Sequence, residues 1–335
     1  MALFSKEIGI DLGTMMTRIA DAQQVILEEP TIVALEAASE KMVAVGKEAR
    51  DMYGRVPDSI EVARPLQNGV IADYVVTETL LYVLLDQMTG PMRFFRPRVM
   101  MSVPYGVTSV ERRAVHEAVL QAGAREAFLI NQPQAAALGV DLPINAASGN
   151  MIICLGGGCS QAAVLAMYGI VSADTLRKGG MELDEAIINY TRRKYGVIIG
   201  AATAEQLKIK IGAAVPQDTE QSMDVQGQDQ VSGLPRPVTL TTSEVVEALQ
   251  EPLDEVIETC RRVLEKTPPE LVSDIIDRGV ALCGGGALLR GVEKLLTKSL
   301  GIPAYLVDNP LTCTAEGAAR GLGMLNALKR SLPTA

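Results

Sequence analysis

The sequence predicts an α/β protein built from two similar halves, on three observations. Short apolar strands alternate with segments of helical periodicity along the chain. The order apolar strand, glycine turn, second apolar stretch at Glu7 to Ala20 returns at Met151 to Leu165, about 143 positions later. The chain has 335 residues, 48% of them hydrophobic, which suits two domains with a large core and excludes wholesale disorder.

In chain order, Glu7 to Ile10 is the first strand, Asp11-Leu12-Gly13-Thr14 its turn, and Met15 to Ala20 the returning stretch. Ala72 to Met88 carries Val75, Val76, Leu80, Leu81, Val83 and Leu84 at helical spacing. Thr108-Ser109-Val110-Glu111 reads as a capping box opening a helix that runs to about Gly123. The stretch from Leu142 to Ala173 has no charge and would pass a hydropathy window for a membrane span, but Gly156 to Gln161 breaks any apolar helix there. Two buried strands joined by a glycine turn fit better. A helix from Leu183 to Tyr195 stops at Gly196, and Thr203-Ala204-Glu205-Gln206 reads as a second capping box. Pro216 to Pro237 is an exposed loop or edge hairpin. Ser243 is placed as the cap of a long helix with Val246, Leu249, Leu253, Val256, Cys260 and Leu264 on one face, bent at Pro252 and stopped by Pro268-Pro269. Val280 to Cys283 is a last strand leading through Gly284-Gly285-Gly286 into a helix with Leu288, Leu289, Val292, Leu295 and Leu296.

Composition removes several function classes. A formal charge of -9, from 31 basic and 40 acidic residues, argues against a protein that coats nucleic acid. The five cysteines contain no Cys-x-x-Cys pair for zinc or thiol exchange and fit a reducing cytoplasm. His116 is the only histidine, so a multi-histidine metal site is excluded; among Glu111, Arg112, Arg113 and Glu117 it reads as a surface residue. Met1 to Lys6 is too short for the apolar region of a signal peptide.

Three glycine turns, Asp11 to Thr14, Gly156 to Gly158 and Gly284 to Gly286, carry the chemistry. Without a Cβ, their backbone N-H groups can approach an anion, and two facing turns can clamp phosphates between the halves. The P-loop pattern and a strand-borne Gly-x-Gly-x-x-Gly are both missing.

Six segments together are highly specific: Asp11 to Thr14, Glu29 to Ala34, Asn68 to Asp73, Val110 to Ala114, Thr267 to Leu271 and Gly284 to Gly291. Over nearly its full length the sequence resembles the MreB family, the bacterial actin-like proteins of rod-shape determination. The resemblance implies the actin-like fold shared with sugar kinases and heat-shock-chaperone ATPases: two lobes, each with a mixed-sheet core and a smaller subdomain. It places the first lobe at about 1–143 with its small subdomain at about 32–72. The second lobe spans about 144–309 with its small subdomain at about 182–242, and about 310–335 returns to the first lobe. It implies ATP or ADP with Mg²⁺ in the interlobe cleft, on Asp11, Gly13, Thr14, Met15, Met16, Gly156, Gly157, Gly158, Glu205, Gln206, Leu207, Lys208, Gly284, Gly285, Gly286 and Ala287. Its partners would be further copies in head-to-tail protofilaments, an intact relative, the inner membrane surface and the cell-wall elongation machinery, with no nucleic acid. The location implied is cytoplasmic, peripheral on the inner face of the membrane.

The departures from the family pattern fall at the nucleotide. Met15 and Met16 stand where the family has Ala and Asn, Cys154 where it has Asp, and Cys159 where it has Thr. The family's Glu-Glu-Pro appears as Asn131-Gln132-Pro133 and its Gly-Gly-Asp as Gly179-Gly180-Met181. Asn131 and Gln132 thus form a degenerate water-positioning site, and Asp11 is left as a weak Mg²⁺ ligand. Turnover at or near background is expected; the other reading is that Gln132 orients water and slow hydrolysis survives.

Three of the four Phe are Phe4, Phe94 and Phe95. The last two lie with Arg93 and Arg96 between Pro91 and Pro97, aromatic wedges among cations that suit an anionic bilayer. Alternatively they pack beneath the strand from Val99 to Val103. Two function classes remain at this point: a membrane-apposed filament that organises cell-wall synthesis and binds ATP with weak or absent hydrolysis, or an active phosphotransferase or chaperone-type ATPase of the same superfamily.

Overall fold

The computed structural model describes residues 6–89 and 96–334. The first half opens with an antiparallel meander of β1 (Glu7–Leu12), β2 (Met16–Ala20) and β3 (Val25–Pro30). A small three-stranded sheet follows, from β4 (Val33–Glu36), β5 (Met42–Val45) and β6 (Ile60–Ala63), with α1 (Gly46–Met52) between the last two. The two-residue strands β7 (Leu66–Gln67) and β8 (Val70–Ile71) form a hairpin that leads to α2 (Tyr74–Thr89). Then β9 (Arg98–Val103), α3 (Ser109–Gln121), β10 (Glu126–Asn131) and α4 (Gln132–Gly139) complete the half. β9 lies parallel to β1 and β10 to β9, so the main sheet reads β10-β9-β1-β2-β3.

The second half repeats this plan. β11 (Asn150–Leu155), β12 (Ser160–Ala166) and β13 (Gly169–Leu176) form the meander. α5 (Gly180–Tyr195), β14 (Val197–Ile198), α6 (Ala201–Lys210), β15 (Ser222–Asp229) and β16 (Pro235–Thr241) supply a second small sheet. α7 (Thr242–Glu265) and α8 (Pro269–Arg278) lead back to β17 (Val280–Cys283), parallel to β11. After a 3-10 turn at Gly285–Leu288 come α9 (Val292–Leu300), β18 (Ala304–Leu306), α10 (Cys313–Gly323) and α11 (Leu325–Leu328). The sheet order, β13-β12-β11-β17-β18, is that of the first half read from its meander edge, so the echo in the sequence is a repeat in the topology.

The core explains why the halves hold together. One cluster fills the second half, around Ile153, Val164, Leu207, Leu249 and Leu282, and another the first half, around Ile10, Leu81, Val99 and Val119. A third joins them: Met100 and Ile130 of the first sheet meet Ile152, Ala163 and Ala281 of the second through α4 and α10. α10, near the end of the chain, packs on β1 of the first sheet. The remaining phenylalanine, Phe128, packs half-buried against this shared cluster.

Several expectations hold and several shift. The uncharged stretch forms β11, β12 and most of β13; among the described residues no helix is long and apolar enough to cross a membrane. Thr108 and Glu111 make the expected capping box on α3, α5 ends on left-handed Gly196, and the segment after Pro216 is a hairpin of β15 and β16. The cap of α7 is Thr241, not Ser243: Thr241 and Glu244 satisfy each other's backbone N-H groups, while Ser243 is held by Glu220. Thr203 caps nothing, because extended Gly200, three residues earlier, already stands at the start of α6. The third glycine turn enters a short 3-10 turn rather than a helix; α9 begins only after Gly291.

Candidate functional site

A cavity of about 460 Å³ lies between the halves, walled by the three glycine turns. The two hairpins present equivalent turns: the Gly13 N-H donates to the Met16 carbonyl at 3.1 Å and the Gly156 N-H to the Cys159 carbonyl at 2.9 Å. They face each other closely. A Cβ on Gly158 would come within 2.3 Å of Thr14 Oγ1, and one on Gly157 within 2.3 Å of Met15 Cγ. Only glycine leaves room for the opposite turn, and Thr14 is held in place by the Gly69 N-H, 3.0 Å from its Oγ1.

The cavity floor is a hydrogen-bonded chain that crosses from one half to the other. Asp11 Oδ1 accepts from Ser102 Oγ at 2.7 Å and from Gln132 Nε2 at 3.2 Å. The Gln132 carbonyl oxygen accepts from Gln161 Nε2, and Gln161 Oε1 accepts from the Tyr105 N-H at 2.8 Å. This chain fixes which end of each amide points where, so Gln132 offers N-H and not oxygen to Asp11. Burial pushes the Asp11 carboxyl up from its ordinary range, with Ser102, the Arg18 charge and Gln132 pulling the other way.

Beside Asp11 the floor is made of thiols. Cys154 and Cys283 stand in register on the parallel strands β11 and β17, with their sulfurs 3.3 Å apart. The contact with Cys154 holds the Cys283 thiol well above its ordinary range, and burial, followed by the Asp11 charge, pushes Cys159 up to about 12. These two thiols are therefore uncharged at neutral pH. Among the described residues no group of three or more His, Cys, Asp or Glu is arranged to hold a metal ion. The floor offers a divalent cation Asp11, one of whose oxygens already accepts two hydrogen bonds, and a cation there would depend on oxygens brought by a ligand.

The upper wall comes from α5 and α6. Lys208 Nζ reaches Asp184 Oδ1 and the Gly180 carbonyl, each at 2.8 Å. Burial raises Asp184 to about 6, with Lys208 opposing it. Glu205 meets Arg50 of α1 at 3.6 Å, an ion pair between the two small sheets' helices.

The cavity brings together Asp11, Gly13, Thr14, Met15, Met16, Gln132, Gly156, Gly157, Gly158, Glu205, Lys208 and the third turn at Gly284, Gly285 and Gly286. Four expected residues stay out of its wall. On α6, Glu205 and Lys208 are three apart and share the cavity face, whereas the helical turn carries Gln206 to solvent and Leu207 into the core. Ala287 is core as well, and Asn131 precedes α4 without facing the cavity. Met181 also lies outside the wall and is exposed.

Sequence reasoning missed Arg18, Gln161, Asp184 and Cys283 as wall residues. A signal for two of them was present: residues equidistant from a hairpin turn pair across it, so Asp11 pairs with Arg18 and Cys154 with Gln161. Phe4, Arg93, Phe94 and Phe95 lie outside the described residues, and Arg96 beside them is exposed.

Comparison with known proteins agrees with this geometry. Residues 5–330 match the family model described as MreB/Mbl protein. The chain is 46% identical over 331 residues to the cell shape-determining protein MreB of Escherichia coli K12, covering 97% of this chain and 95% of that protein. The crystal structure of MreB5 of Spiroplasma citri bound to ADP superposes with a TM-score of 0.91 at 31% identity, covering 97% of this chain and 98% of that one. The same protein bound to AMPPNP gives the same score. The MamK double helical filament shares the fold, with a TM-score of 0.80 at 21% identity over 94% of this chain and 98% of that one.

Proposed function

Given that the chain belongs to the MreB/Mbl family of actin-like, cell shape-determining proteins, we propose that it assembles into filaments holding ATP or ADP in the interlobe cavity with little or no hydrolysis. The observation that carries this reading is the cavity itself. Facing glycine turns of both halves line it, in a fold that superposes on a relative solved with ADP and with AMPPNP.

The backbone N-H groups of the two turns beyond Gly13 and Gly156, whose own N-H groups close the turns, would cradle the phosphates, with Thr14 and Gly158 keeping the turns close. Glu205 and Lys208, together on the cavity face of α6, would meet the ribose and base. Mg²⁺, where bound, would neutralise phosphate charge and would rest on Asp11 alone among the described floor residues.

The weak hydrolysis rests on residue 132 and its neighbours. Gln132 reaches the floor, but an amide can orient a water and cannot take its proton, and loss of a general base costs about 10²- to 10⁴-fold in rate. The uncharged thiol of Cys159 offers no substitute base, and Cys154 supplies no second carboxylate for a metal. In this reading the protein is a divergent family member in which the nucleotide is structural. Its product is the filament, formed head to tail with itself or with an intact relative, on the cytoplasmic face of the inner membrane beside the cell-wall elongation machinery.

Electron microscopy of the purified protein on liposomes of anionic lipid with ATP tests this reading. Protofilaments aligned along the lipid surface are the expected result, and dispersed monomers at concentrations where a relative polymerises would refute it.

A further inference from the structure

Arg18 is an unexplained cation in the cleft. It lies on β2 directly across from Asp11 on β1 and from Glu28 on β3. Residues paired this way in antiparallel strands project from the same face, so the guanidinium shares the cavity floor with Asp11. It is 9% exposed, and its Nε has no hydrogen-bond partner among the described residues. Its Nη2 donates to Glu28 at 2.8 Å, and the Glu28 side chain is itself 43% exposed.

A buried guanidinium left partly unsatisfied is costly, and such a group is better explained by a ligand than by packing. The ligand chemistry follows from the neighbours. The same cavity wall carries the two glycine turns that would hold phosphates, and its floor offers a divalent cation the single carboxylate of Asp11, with no group of three or more ligating side chains among the described residues. A nucleoside triphosphate brings several negative charges that something must balance. A guanidinium matches phosphate oxygens with a planar fork, stays charged at any physiological pH, and is weakly hydrated, so it is suited to a desolvated floor.

We propose that Arg18 takes the charge-balancing place of a divalent cation, binding the terminal phosphates so that the cleft holds ATP or ADP without metal. The proposal rests on the nucleotide reading given above. Glu28 is the resting partner: its carboxylate holds Arg18 while the cleft is open and can turn to water when phosphate arrives, because nearly half of it is already solvated. Asp11 is the other acidic neighbour, and its Oδ1 already accepts hydrogen bonds from Ser102 and Gln132.

Calorimetric titration of the full chain with ATP, in excess EDTA and in Mg²⁺, decides the matter, with adenosine as a phosphate-free ligand. Wild-type dissociation constants in the two buffers should agree within about threefold. Arg18→Met should weaken ATP in EDTA by about tenfold or more, the effect of losing a charged contact, while adenosine binds as to wild type and reports a folded cleft. Glu28→Gln should act in the opposite direction and tighten ATP in EDTA, an outcome that misfolding cannot produce. Wild-type binding that collapses in EDTA, or unchanged ATP affinity in Arg18→Met, overturns the role of Arg18 and leaves the nucleotide reading standing. No binding of ATP in either buffer overturns both.

Discussion

Replacing Gln132 with Glu and Cys154 with Asp in one protein raises ATP hydrolysis in Mg²⁺ by about 10²-fold or more, the scale at which a positioned base contributes. Gln132 already reaches the cavity floor, with Nε2 3.2 Å from Asp11 Oδ1 and its other end held by Gln161. A carboxylate there keeps the Gln161 donor, which fixes its orientation, and gains the ability to accept a proton. Cys154 lies in the adjoining strand, across from Gln161 and beside Cys283, so a carboxylate in its place adds a second acidic ligand to the floor. Both changes are needed. Gln132→Glu alone sets one carboxylate against Asp11 without a cation to reconcile them, which raises the pKa values of the pair, and Cys154→Asp alone improves the metal site without supplying a base. Phosphate release measures the effect, and EDTA should return the double variant to the wild-type rate. Unchanged release in Mg²⁺ would mean that something other than missing carboxylates limits turnover.

Gly317→Val should destabilise the whole molecule by about 3 kcal/mol, a large part of the roughly 5 to 15 kcal/mol typical of a folded domain. α10 and α4 touch backbone to backbone at this point. A Cβ on Gly317 would fall 1.8 Å from the Ala135 carbonyl oxygen, and one on Gly139 would fall 1.9 Å from that of Cys313. Both contacts are with main chain, which cannot swing aside as a flexible side chain could. Because these helices carry the core shared by both sheets, prying them apart loosens the floor of the cleft as well as the fold. Gly323→Ala is the control: it lies on the same helix and, apart from that helix's own backbone and its chain neighbours, no atom among the described residues is within 4 Å of the added Cβ, so it should be neutral or stabilise by up to about 1 kcal/mol through helix propensity. Urea denaturation of the two variants compares them directly, and a midpoint for Gly317→Val equal to that of wild type would contradict the packing argument.

What could be read from the sequence was what is encoded locally. The glycine turn between apolar stretches announced both hairpins, and its return after Met151 announced the repeated sheet. Thr108 to Glu111 and Gly196 marked helix ends because cap and partner lie within a few residues of each other. Errors arose where two local signals compete. Thr241 and Ser243 are both good caps, and only the position of Glu244 three residues on selects the former. Within the cleft, a matched motif predicted its face residues and overreached for those between: Leu207 and Ala287 belong to the motifs but turn into the core. Asp184 was not legible at all, since its place in the cavity depends on α5 and α6 packing against each other so that Lys208 can reach it. Arg18 was legible in principle from hairpin pairing, but the charge of a strand residue carries no message until the sheet face it occupies is known.

The central claim, a filament protein that keeps its nucleotide intact, is tested most directly by assembling the wild-type chain in ATP and Mg²⁺, pelleting the polymer and separating the bound nucleotides by chromatography. The account predicts that the pellet carries predominantly ATP after hours of assembly. A pellet that carries predominantly ADP, with phosphate released in step with polymer, would contradict it.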